Sequence, residues 1–299
     1  MTGKIRVKSA VAHEPTDRCP IDLGFTSEAA DKMMRFLGEE SSEGVMSALD
    51  VDIRHIYPVY KGPTRRTDGD IHFDEWGIGR RALQYGGDGY GGTYDEIAVA
   101  PLADATSVDD VLAHKWPDPD WWDYDSMTSA LEAVSRDYWV TSGAYSIFER
   151  SWGLMGMERF LADLVVAPEI PLAVMDKVLE FYTEQTVRIL HATDGLVDQI
   201  DTCDDVGTQR GMLLSPRVWR EHVKPRQAKF NSTVKSCSSV KLWYHSCGGI
   251  APIIEDLIEI GVDILDPIQT GAEGIDPVWL KDTFGDRLCF HGGVDTQRT

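Results

Sequence analysis

The 299 residues, 42% of them hydrophobic, are enough for one large domain or two small ones with a full core. With 29 basic against 49 acidic residues and a formal net charge of −20, the chain disfavours nucleic acid and anionic membranes, while a small anion in a local basic pocket stays open. No apolar run reaches the roughly 20 residues of a membrane helix, the Met1 to Arg6 start has no apolar core of a signal peptide behind it, and the five scattered cysteines (Cys19, Cys203, Cys237, Cys247, Cys289) suit a reducing cytoplasm, not a disulfide framework.

In chain order, Arg18 to Gly24 reads as a first strand. Residues 60–128 are rich in Gly, Asp, Pro and Trp and read as a long excursion with short strands, not as a linker. Within it, the glycine-rich stretch 86–92 lacks the strand–turn–helix frame of a phosphate loop and reads as a flexible loop. The tryptophans Trp116, Trp121 and Trp122 read as packing for the excursion. Asp137 to Gly143 is the next strand. Pro168 to Ala192 is an amphipathic helix, with Leu172, Met175, Leu179, Tyr182 and Ile189 near one stripe. Val197 to Asp201 is a strand that runs into Thr202-Cys203-Asp204-Asp205-Val206-Gly207.

The C-terminal part alternates more regularly. Val240 to His245 is a strand; Ile250 to Ile260 is a helix ended by Gly261; Val262 to Ile268 is a strand. A helix follows over residues 276–285, with aspartate before proline at its start and glycine at its end. Arg287 to Phe290 is a strand that closes on His291-Gly292-Gly293-Val294-Asp295. Repeated βα units imply a parallel sheet. The expectation is a single α/β domain over residues 1–299, with about seven strand candidates where a (β/α)8 TIM barrel needs eight.

The end of the 240–245 strand carries the strongest chemical signal. Side chains two apart on a strand share a face, so His245 and Cys247 converge, and an imidazole and a thiol are both good ligands for zinc. The plainer reading makes them packing residues. Asp204 and Asp205 either cap the following helix or serve a site. Cys203 follows its strand and could reach the same end, whereas Cys289 sits deep in its own strand.

Six blocks, in order, resemble the uroporphyrinogen decarboxylase superfamily, and within it the cobalamin-dependent methyltransferase branch. They are Arg18-Cys19-Pro20-Ile21-Asp22; Asp74-Glu75-Trp76-Gly77 with Pro101-Leu102-Ala103; Asp204 to Gln209 with Ser215 to Trp219; His245 to Gly249; Asp266-Pro267-Ile268-Gln269; and Phe290 to Asp295. The resemblance implies a (β/α)8 barrel with these blocks at its mouth. It implies zinc held by His245, Cys247 and a further cysteine that lies beyond Thr299, so the chain resembles a member lacking its last βα unit at the C-terminus. It further implies a corrinoid, methylcobalamin or one borne by a corrinoid-carrying protein, as co-substrate, with a metal-activated thiol attacking its methyl group. Asp204, Asp205 and Asp295 are then catalytic candidates, and Asp266, Gln269 and His291 candidates for contact with a small-molecule substrate or for orienting the ligating imidazole. The arginine-rich N-terminal segment of true uroporphyrinogen decarboxylases is not found; Arg65-Arg66 and Arg80-Arg81 stand in other contexts. Cofactor-free decarboxylation in porphyrin biosynthesis is the alternative activity. A non-catalytic corrinoid- or tetrapyrrole-binding protein and an inactive fragment are the others.

Overall fold

The structure is a computed structural model, and it describes residues 1–87 and 90–294. Its centre is a six-stranded, wholly parallel sheet whose spatial order equals the chain order. The strands are Ile53–His55, Trp139–Tyr145, Gln199–Cys203, Lys241–His245, Ile264–Ile268 and Cys289–Gly292. Helices between them, chief among them Glu169–Thr193, Lys224–Cys237 and Pro277–Phe284, make the right layer for parallel strands, which must be connected by crossovers.

Alternation along each strand divides the sheet into two faces. Ile200, Leu242, Tyr244 and Leu265 point outward into the main apolar core with the helices. The concave face is apolar only at its N-terminal end. There the first helix, Gly3–Val11, packs Val7 and Val11 onto Ile53, Trp139 and Ile264, with Trp243 and Cys289 beside them. Arg6 on that helix is buried against Asp52 and also binds Asp17 at 2.6 Å, so the plug is fixed by paired charges as well as by packing. The chemistry-bearing residues are left for the C-terminal ends of the strands, where barrels and related α/β folds place their sites.

Five of the six sheet strands fall where the sequence predicts them; the remaining one does not. Arg18 to Gly24 is not a strand. Pro20 has no amide to donate, and Ile21 exchanges hydrogen bonds with Asp52, donating to its carboxylate at 2.8 Å and accepting from its amide at 2.9 Å. This segment thus runs beside the start of Ile53–His55, which is the true first strand. Among the described residues the sheet is open, with six strands and no pairing between the first and the last, so the eight-stranded closed barrel is not reached.

Of the 86–92 stretch, residues 88 and 89 lie outside the described residues, and the flanks 86–87 and 90–92 belong to strands instead of a loop. Gly79–Gly87 and Tyr90–Val99 pair as a long antiparallel hairpin, and with Thr67–Asp68 and Ile71–Phe73 they form a four-stranded sheet. Gly91 has φ +151°, and a Cβ there would collide with the Tyr85 carbonyl oxygen. The tryptophans pack as expected: Trp76 meets Trp116 edge-on at 6.2 Å, and Trp122 lies 5.4 Å from Phe181. Among the described residues no helix is long and apolar enough to cross a membrane.

Candidate active site

Parallel register brings the site together. His245 is the pairing partner of Cys203 on one side and of Asp266 on the other. The imidazole Nδ1 lies 2.5 Å from Asp266 Oδ2. That contact fixes the ring and turns Nε2 toward Cys247 Sγ and Asp205 Oδ1, each 3.5 Å away. Donor atoms of Cys203, Asp205 and His245 all lie within 4.8 Å of one another. Thiol, carboxylate and imidazole, with a carboxylate behind the imidazole, form a donor set that suits zinc. The residues present therefore fit the metal, and they supply a third and a fourth donor, Cys203 and Asp205, from within the chain.

The turn after the strand is held at four points. Ser246 donates from its amide to the Asp266 carbonyl at 2.8 Å, and its hydroxyl accepts from Val206 N–H at 3.1 Å. Cys247 N–H donates to Asp205 Oδ1 at 2.7 Å, and Gly248 N–H to Gln269 Oε1 at 2.6 Å. Gly248 has φ +86°, and a Cβ there would lie 2.6 Å from the backbone of Thr208, so the turn requires glycine. Gln269, expected to touch substrate, thus spends its carbonyl oxygen on positioning the Cys247 turn.

Asp204 is corrected. It is buried on the helix side, where one carboxylate oxygen accepts from the amides of Phe148 and Glu149 and from the Ser146 hydroxyl, at 2.8 to 3.0 Å. The other oxygen accepts from Gln227. It caps the helix Ile147–Met155 instead of reaching the concave face. Burial raises its pKa to about 7 against the pull of these donors. Asp205, next in sequence, does face the site. Cys203 donates its thiol to Glu149 at 3.4 Å, and burial followed by nearby carboxylates pushes that thiol up. Asp295 lies outside the described residues.

Asp266 binds a second imidazole through its other oxygen, that of His291. The far nitrogen of His291 is 3.5 Å from Asp22 Oδ2, and Asp22 Oδ1 is 3.0 Å from His55 Nε2. Asp201 lies 3.9 Å from the remaining His55 nitrogen, and Tyr57 Oη 3.5 Å from it. Burial opposes the charge on His245 and His291, but Asp266 and Cys247 beside His245, and Asp22 and Asp266 beside His291, outweigh it and raise both to about 10. His55 is raised by the same contest with Asp22. Burial lifts Asp201 to about 6, while His291 and His55 hold Asp22 well below the carboxylate range despite its burial. The first and last strands of the sheet are thus bridged at their C-terminal ends by Asp22. Sequence reasoning missed Asp22, His55, Asp201 and Glu149 as site residues. Asp22 belongs to a motif block that carried the resemblance, whereas nothing local marks His55.

The sequence pattern of the uroporphyrinogen decarboxylase (URO-D) family matches residues 104–298, a stretch that holds Cys203, Asp205, His245, Cys247, Asp266 and His291. No curated protein matches the sequence. Among solved structures, a methyltransferase from Methanosarcina mazei is similar in fold, with a TM-score of 0.58 and 18% sequence identity over 100% of this chain and 85% of that one.

Proposed function

The chain belongs to the uroporphyrinogen decarboxylase family, and from that premise we propose that it is a zinc-dependent methyltransferase. In this reading it moves a methyl group between a corrinoid co-substrate and a small molecule such as a thiol or a methoxylated compound. The six parallel strands belong to a (β/α)8 barrel of the family type, and the protein works in the cytoplasm, with the corrinoid either free or on a carrier protein.

One observation carries the reading: His245 Nε2, Cys203 and Asp205 converge within 4.8 Å, with Cys247 Sγ 3.5 Å from the same nitrogen. His245, Cys247 and Cys203 would hold the metal. Bound there, zinc would keep a substrate thiol deprotonated near neutral pH. The chain's own groups do the positioning. Asp266 fixes which nitrogen of His245 faces the site. Asp205 and Gln269 hold the Cys247 turn through backbone amides. Asp22 lies between His55 and His291 and holds both imidazoles in place beside the site.

Metal analysis tests this directly. Purified protein should hold about one zinc per chain, lost in His245→Ala and Cys247→Ala. The loaded protein should demethylate methylcobalamin in the presence of a thiol, followed by the change in corrinoid absorbance. Absence of bound zinc, or turnover of uroporphyrinogen that survives chelation, would overturn the proposal, the latter in favour of cofactor-free decarboxylation.

A further inference from the structure

Away from the metal-ligating cluster, the excursion builds a second concave surface. An open cavity of about 360 Å³ lies between the antiparallel sheet and the segment 114–121. Its wall includes Tyr60, Arg65, Arg66, Phe73, Lys115 and Trp121. The wall is pre-formed. Val59–Tyr60 pairs with Trp122–Asp123, Lys61 N–H donates to the Trp121 carbonyl at 2.7 Å, and the Tyr60 hydroxyl donates to the Pro63 carbonyl at 2.9 Å.

The charge in this cavity is opposite to that of the chain as a whole. Two carboxylates line it, Asp74 and Glu75, and both are neutralised. Asp74 accepts from the amides of Trp76 and Ile78 and pairs with Arg150 at 3.1 Å; Glu75 pairs with Arg65 at 3.0 Å. His114 shares its ring with the Trp76 carbonyl, and burial lowers its pKa, so it adds no charge near neutral pH. Arg66 and Lys115 are left without a carboxylate partner among the described residues. In a chain of net charge −20, two such cations facing one cavity form a local anion trap.

Ring geometry narrows the ligand. The Arg66 guanidinium lies 3.8 Å over the Phe73 ring, and that of Arg65 lies 4.6 Å over Tyr60. A guanidinium held over a ring can still offer its N–H edge for bidentate contact with a carboxylate. The volume lies in the range of small-ligand pockets. We propose that this cavity is a binding site for a single-ring aromatic carboxylate, with the carboxylate on Arg66 and Lys115 and the ring against the aromatic wall. It does not depend on the metal-site reading.

Isothermal titration calorimetry of the full chain tests it, with benzoate as the probe. Benzoate should bind saturably, and Arg66→Gln and Lys115→Gln should each weaken it about tenfold or more, the effect of losing one charge-assisted hydrogen bond. Both side chains are exposed, so the variants should keep wild-type thermal stability and zinc content. Benzamide, which lacks the charge, and inorganic phosphate, which lacks the ring, should bind at least tenfold more weakly. No saturable benzoate binding, equal binding of benzamide or phosphate, or indifference to both substitutions would overturn the assignment. None of these outcomes bears on whether zinc binds at His245.

Discussion

The two faces of the same strands differ in kind. On Lys241–His245, Leu242 and Tyr244 point outward and are 1% and 2% exposed, whereas Trp243 and His245 point inward and are only partly buried. On Gln199–Cys203, Ile200 is fully buried outward, while Asp201 and Cys203 face the site. On Ile264–Ile268, Leu265 goes to the helices and Asp266 to the imidazoles. Stability is therefore concentrated on one parity and chemistry on the other. A slip of one residue in register would exchange them, which is why the outward apolar set specifies where the chemistry stands.

The largest expected effect lies on the outer face. Leu242→Ala removes a fully buried side chain and should destabilise the fold by about 2–5 kcal/mol, read as a lowered urea midpoint. The folded fraction should keep its zinc. His245→Ala, three residues on but of opposite parity, should lose the metal with a much smaller change in metal-free stability. Comparable destabilisation by the two substitutions would break the division of the faces.

A sharper version concerns Cys203. The sequence placed it at a strand end that could reach the site, but its side-by-side pairing with His245 was not legible, because lateral register between parallel strands is not a local property. Cys203→Ser should cut zinc affinity by about 1,000-fold or more, beyond the roughly 10- to 100-fold typical of a residue that only supports a ligand. Chelator competition would measure it. An unchanged affinity would leave Asp205 as the third donor.

The same reason explains what else was and was not legible. The later parallel strands are apolar runs between glycine and capped helices, so periodicity found them. His245 and Cys247 were visible because two-residue spacing on a strand is local. Ile53–His55 was missed because three residues, two of them cationic or titratable, carry no pattern; the apolar alternation of 18–24 misled instead, with Pro20 arguing against it. The hairpin around residues 79–99 was hidden by its glycines, which read as loop although they serve a tight strand pairing. Asp204 looked like a site residue or a cap for the helix that follows it; it caps the earlier Ile147–Met155, a contact between distant parts of the chain.

The last test concerns the inner face alone. His291 is met by Asp266 from the neighbouring strand, Asp22 from the segment Arg18 to Gly24, His55 across Asp22, and the edge of Trp243 at 5.9 Å. Burial works against its charge, the two carboxylates outweigh it, and its pKa rises from 6.5 to about 10. A group raised on folding binds its proton more tightly in the native state, so its contribution is fully present below 6.5 and is lost as pH rises toward about 10. Metal-free protein should therefore become less stable to urea across that window. His291→Gln should flatten the decline, and Asp22→Asn should move its upper end downward by weakening the hold on the same imidazole. If stability is flat from pH 6.5 to 10 in the wild type, or if Asp22→Asn leaves the curve unchanged, the concave face does not hold its charge through this bridge, and the polar parity is no more than a solvated strand end.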